Sequence, residues 1–171
     1  MCIGTRLGIM KELTELAIRA SFVNCSKGAA QRLTVPHLLA DLPWEDLDFL
    51  GWQDPGAPDR SYIVAEHSGE LIGVELRRVG GGGGRRRSMC SICLTTHPSS
   101  GVVLMTGHRA RRTGDTYHTV GTYMCSDLAC SLYAREKKRV QRAGAPEETL
   151  SVEEKIERAK TNLAVFLDKI L

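Results

Sequence analysis

Four of the six cysteines in this 171-residue chain fall in two pairs, Cys90-Ser-Ile-Cys93 and Cys125-Ser-Asp-Leu-Ala-Cys130, with enough chain between them for a β-hairpin. Thiolates suit a closed tetrahedral zinc site, and a Cys-x-x-Cys turn lets two sulfurs converge on one ion without backbone strain. Two disulfides or four buried free thiols are the alternatives, but both spacings follow zinc usage. The expected ligands are therefore Cys90, Cys93, Cys125 and Cys130, around one structural zinc. Such a set leaves no position for a water molecule, which argues against a zinc enzyme and for a scaffold. His97, His108 and His118 could substitute as ligands; with four sulfurs closing the site, each is expected to be an ordinary hairpin or surface histidine.

The elements that position these sulfurs follow from geometry. Residues five apart on a continuous α-helix are rotated by roughly 140° and cannot face one ion. Cys125 must then end a strand, Tyr123-Met124-Cys125, while Cys130 points back from a helix start. Ser126 is the expected N-cap with Asp127 in the first turn. Val102 to Met105 and Thr119 to Met124 supply hairpin strands, joined by a basic loop from Gly107 to Tyr117. Knuckle, hairpin and ligand-bearing helix make a treble clef, placed at about residues 88–142. A helix N-terminus also favours nearby thiolate charge.

Charge is unevenly distributed although the net value is only +3. Residues 85–142 hold 11 Lys+Arg against 3 Asp+Glu, so the zinc segment alone is about +8. Part of the Arg85-Arg86-Arg87 triplet is expected to offset the two excess negative charges of a four-thiolate zinc site. Arg109, Arg111, Arg112, Arg135, Lys137, Lys138 and Arg139 are expected to form most of the patch. An anionic partner fits it, either nucleic acid or an acidic protein surface; a solvated face is the plain alternative.

No apolar run is long enough to span a bilayer, and the N-terminus lacks the apolar core and cleavage site of a secretory signal. A soluble, cytoplasmic protein is expected, in keeping with reduced thiols. Residues 1–10 read as an unstructured extension before residues 11–171, because Met10-Lys11-Glu12 resembles an ordinary start. Leu13, Leu16, Ala17 and Ala20 predict a short amphipathic helix ending near Phe22, and Asn24-Cys25-Ser26-Lys27-Gly28 breaks it. Cys25 has no base near it in sequence and is expected to be a small buried hydrophobe. Trp44, Phe49 and Trp52, in an acidic and aromatic segment, are expected in the core. Ser61 to Glu66 and Glu70 to Leu76 read as a hairpin closed by His67-Ser68-Gly69. The Gly80 to Gly84 run is a linker or loop and not a phosphate loop, since no Gly-Lys-Ser/Thr follows. After the Gly144-Ala145-Pro146 break, Ser151-Val-Glu-Glu154 is a capping box opening a helix over residues 151–170. Its stripe of Val152, Ile156, Ala159, Leu163, Phe166 and Ile170 is expected to pack on its own domain.

Four stretches carry a resemblance. Ser21-Phe-Val-Asn-Cys-Ser-Lys-Gly28, Leu47-Asp-Phe-Leu-Gly-Trp52, Cys90-Ser-Ile-Cys-Leu-Thr-Thr-His97 and Val120-Gly-Thr-Tyr-Met-Cys-Ser-Asp-Leu-Ala-Cys130 resemble the treble-clef zinc-finger domain of elongation factor G-binding proteins, the family that includes fusidic-acid resistance proteins. The match runs from about Leu13 to the C-terminus. It implies an α+β fold in which an N-terminal helix, a β-hairpin and a C-terminal helix are added to the treble clef. It also implies a non-enzymatic protein whose zinc-bearing domain binds elongation factor G and helps it leave the ribosome. A separate N-terminal helical bundle, present in the resistance proteins, is not expected in this chain. A zinc-stabilised RNA-binding module, using Arg85 to Arg87 and Arg109 to Arg112 on phosphates, is the competing reading.

Overall fold

The computed structural model describes residues 10–80, 87–98, 100–110, 118–140 and 148–171. The expected extension up to residue 9, Gly81 to Gly84, Gly144-Ala145-Pro146, and the basic residues Arg85, Arg86, Arg111 and Arg112 lie outside the described residues.

Five antiparallel strands form the central sheet. β1 (Phe49–Asp54), β2 (Ala57–His67) and β3 (Glu70–Val79) are consecutive neighbours, followed by β6 (Val102–His108) and β7 (Thr119–Cys125) in the order β1-β2-β3-β6-β7. The β2–β3 turn consists of Ser68 and Gly69 alone, both at positive φ (51° and 82°), which matches the right-handed twist of the flanking strands. β1 makes a strand of the acidic and aromatic segment, for which only core packing is expected from sequence. It pairs with β2 from Phe49↔Ala65 to Gln53↔Ser61, with an irregularity before Asp54.

Both faces of β2 are covered, so its centre from Ser61 to Ala65 is buried at every position instead of alternating. Tyr62 and Val64 face one cluster with Leu50, Trp44, Ile18, Ala30 and Leu33. Ile63 and Ala65 face the other, with Val74, Leu76, Met105, Met124 and the C-terminal helix. The first cluster is built by two short helices, α1 (Glu15–Ala20), capped by Thr14, and α2 (Lys27–Arg32), capped by Ser26. Two sequence expectations change here. Ile18 is the buried residue of α1 and Leu16 is 76% exposed, because the helix starts only at Glu15 and Leu13 precedes it. Asn24 to Gly28 is a break that also starts α2, since the Ser26 hydroxyl accepts from Ala29 N. Trp44 and Phe49 are buried and Trp52 half-buried, with both indoles donating to backbone carbonyls, of Leu39 and Thr34. Met10 is buried in the same cluster and donates its N–H to Leu47 O.

The last helix, α4 (Val152–Ile170), opens on the expected capping box: Ser151 Oγ accepts from Glu154 N at 3.2 Å and Glu154 Oε2 accepts from Ser151 N at 2.7 Å. Its whole stripe from Ile156 to Ile170 is buried, joined by Leu167, and packs on the sheet face that carries the cysteines. Ser151→Ala should cost about 1 kcal/mol, read as a lower urea midpoint with an unchanged slope. A midpoint equal to the parent's would mean that the cap contributes nothing.

Candidate metal centre

The short strands β4 (Ser88–Met89) and β5 (Thr96–His97) pair Ser88↔His97 and Met89↔Thr96, pinching residues 90–95 into a tight loop. Cys90 N donates to Thr95 O and Leu94 N to Cys90 O, both at 3.0 Å, and Ile92 N points at Cys90 Sγ at 3.3 Å. The chain turns out of the loop through Leu94 at φ 59°, a conformation disfavoured for a side chain with a Cβ and imposed here by closure of the loop. This is the knuckle expected from Cys90-x-x-Cys93.

The second pair reaches the site as expected from the end of β7, but by a different turn. Ser126 does not cap the helix; its N–H goes to Gly101 O at 2.9 Å. Asp127 Oδ1 accepts from Ala129 N at 3.1 Å, Leu128 takes φ 57°, and α3 starts only at Cys130, running to Ala134. Asp127 therefore uses its carboxylate to close an Asx turn, which reverses the chain so that Cys125 and Cys130 face one another. Leu128 is buried against β1, where a Cβ on Gly51 would lie 2.7 Å from the Leu128 Cβ. Glycine at 51 is thus what lets the ligand turn sit on the sheet.

All four sulfurs lie within 4.8 Å of one another and all four cysteines are buried. Cys93 and Cys125 are 3.5 Å apart at sulfur, Cys90 and Cys130 3.7 Å. A tetrahedral zinc with bonds of about 2.3 Å needs sulfur–sulfur edges of about 3.8 Å, so the donor set fits the ion in type, number and size. Without a cation the cluster shares protons: hydrogen bonds from Cys125, Cys130 and Cys93 hold Cys90 below the ordinary thiol range, while sharing with Cys125, Cys90 and Cys93 pushes Cys130 up. A divalent cation replaces those protons, and the cysteines are placed to hold a single structural zinc.

α4 supports the knuckle from beneath. Asn162 Nδ2 donates to Ile92 O at 2.9 Å and Arg158 Nη2 to Cys93 O at 3.5 Å, while Arg158 Nη1 also pairs with Glu148. The signal was present as an i, i+4 polar pair beside the apolar stripe. Asn24 was also missed: its side chain bonds both Glu75 N and Glu75 O and reaches His108 O, tying the N-terminal segment to β3 and the end of β6. Cys25 is half-buried, and burial pushes its thiol up, followed by the Glu75 charge.

The basic residues divide by position. Arg135 turns inward: its guanidinium meets both Asp48 oxygens at 2.6 and 2.9 Å, with side-chain exposures of 9% and 5%. Lys137 pairs with Asp46 at 2.7 Å and Lys138 with Asp127 at 2.8 Å. Arg135 and Lys137 are thus met by the acidic stretch before β1, and Lys138 by Asp127 within the zinc segment. Arg109 Nε donates to Lys169 O at the end of α4, and Arg87 stands beside the knuckle. His108 and His118 are exposed on the hairpin. His97 departs from expectation: it is buried, with Nε2 3.2 Å from Cys125 Sγ.

No helix among the described residues is long and apolar enough to cross a membrane. A family model described as the FBP C-terminal treble-clef zinc-finger matches residues 17–170, which runs from within α1 to the end of α4 and takes in both cysteine pairs. No curated protein matches the chain. With nearly the whole length covered, the predicted donor set assembled and the knuckle, hairpin and ligand helix in sequence, this chain belongs to the FBP C-terminal treble-clef zinc-finger family.

Proposed function

We propose that the chain is a non-enzymatic binding protein of the cytoplasm that docks on elongation factor G and promotes its release from the ribosome. The observation that carries this reading is a groove of about 590 Å³ with the zinc knuckle as one wall and the end of α3 as the other. Met89, Leu94, Tyr133 and Val140 give it apolar lining, and Arg87 and Arg139 stand on its border, where Glu136 and Glu148 are paired with Lys155 and Arg158. Such a mixture suits a protein surface with an apolar anchor and acidic flanks. The metal fixes the wall, and the groove offers its side chains in one arrangement. Docking can promote release only by binding the released form of the factor more tightly than the ribosome-bound form.

A nucleic-acid partner finds less support, because Arg135, Lys137 and Lys138 are already paired with carboxylates. The test is capture of purified elongation factor G by the zinc-loaded chain and by Cys93→Ser, with and without nuclease. Nuclease-resistant capture by the parent and at least tenfold weaker capture by the variant are expected. Recovery that vanishes with nuclease would favour the RNA-binding reading, and equal capture by both chains would remove the zinc-built surface from the account.

A further inference from the structure

We propose that His97 is a positioning residue of the metal centre, donating its Nε2–H to the Cys125 thiolate and so slowing loss of the metal. The imidazole is 5% exposed and its Nε2 lies 3.2 Å from Cys125 Sγ. A metal-bound thiolate carries no proton, so this contact is attractive only when the proton sits on Nε2.

The surroundings hold the ring in that one place. On one side is Gly101, where a Cβ would come 2.4 Å from the His97 Cβ and 2.9 Å from its Nδ1, so no other residue leaves the ring room. Gly101 is itself fixed, its N–H donating to Pro98 O and its carbonyl accepting from Ser126 N beside the ligand Cys125. On the other side Tyr133 meets the ring edge to face at 4.8 Å. Tyr133 is anchored through its hydroxyl to Asp127 Oδ2 at 2.9 Å, and Asp127 in turn takes Lys138. The imidazole is therefore held between the loop before β6 and α3, and its polar atom is directed at a ligand sulfur.

The sulfurs differ in this respect. The Ile92 N–H donates to Cys90 Sγ, and Cys93 Sγ has Thr95 Oγ1 as its partner, each at 3.3 Å and both within the knuckle loop. Among the described residues, Cys125 alone receives a side chain from outside that loop, and it is the ligand at the junction of sheet and α3. Four thiolates leave two excess negative charges in a buried site, and each hydrogen bond to sulfur lowers the cost of keeping them there. Groups that orient and hydrogen-bond metal ligands change metal affinity by about 10- to 100-fold when removed.

The experiment follows release of zinc from the full chain to a competing chelator in the parent, in His97→Phe and in His97→Gln. Phenylalanine keeps a ring against Tyr133 without a donor; glutamine restores an N–H near the Nε2 position. His97→Phe should lose zinc about 10- to 100-fold faster, with glutamine recovering most of the difference. Nitrogen-15 NMR of the zinc-loaded parent, which needs no variant to fold, should show Nε2 protonated and Nδ1 bare. A bare Nε2, or equal acceleration by phenylalanine and glutamine, would overturn the proposal and leave His97 as packing alone.

Discussion

Stripping zinc from the folded chain should release the knuckle and α3 while β1 to β3 stay folded, an outcome between those of an isolated zinc finger and a metal-independent core. Zinc contributes about 10–16 kcal/mol to small finger peptides, comparable to or above the 5–15 kcal/mol that stabilises an ordinary domain. Residues 90–95 and 125–134 bury little apolar surface beyond the four cysteines, namely Ile92, Leu128 and Ala134, and are otherwise held by a few polar bonds, from Asn162 and Arg158 to the knuckle and from Asp48 to Ser131. By contrast β2 and β3 are paired over eight positions and covered on both sides by clusters that include Ile18, Tyr62, Val74 and Leu167. Hydrogen exchange with and without a chelator reads the difference directly. Amides of Cys90, Leu94, Leu132 and Tyr133 should lose protection, and those of Ile63, Val64 and Val74 should keep it. Acid should act in the same direction, because protons and metal compete for the same sulfurs. Unchanged exchange at the knuckle after complete demetallation would show that the loop folds without its ion.

What the sequence disclosed depended on how local the determining interaction was. The ligand set could be read because a Cys-x-x-Cys loop builds its own geometry, and the capping box at Ser151 because donor and acceptor are three residues apart. The expected start of the helix after Cys125 lies three residues early: Ser126 and Asp127 look like a cap and first turn, and only the tertiary bond from Ser126 N to Gly101 O shows that the backbone there is committed elsewhere. β1 escaped notice because its residues, Phe49 to Asp54, lack the β-branched alternation of an edge strand; Gly51 is there to admit Leu128. His97 could not be separated from His108 and His118 by type or spacing. What distinguishes it is a glycine four residues later and a tyrosine 36 residues away, neither of which carries a signal by itself. The pairing of Arg135 and Lys137 was hidden for a related reason: Asp48 and Asp46 sit more than 80 residues earlier.

Asp48→Ala is expected to be the most damaging change outside the ligand set. It would leave the Arg135 guanidinium in a site where the side chain is 9% exposed, keeping a bond to Ser131 O at 3.3 Å and losing both carboxylate oxygens. Removing one member of a buried pair costs about 3–5 kcal/mol, chiefly the penalty of the stranded charge. The position amplifies the effect: Ser131 Oγ accepts from Asp48 N at 3.0 Å, so the same few residues fasten α3, and with it Cys130, to the segment entering β1. The neighbouring pair provides a control. Lys137 is 55% exposed, and Lys137→Ala should change stability by no more than about 1 kcal/mol. In urea titrations of the zinc-loaded chain, Asp48→Ala should lower the midpoint several times more than Lys137→Ala. Replacing Asp48 and Arg135 together with Leu and Met should recover much of the loss, because no charge is then left unpaired. If the double replacement is as unstable as Asp48→Ala, the stranded charge is not the cause and the loss belongs to the backbone junction that Asp48 and Ser131 share.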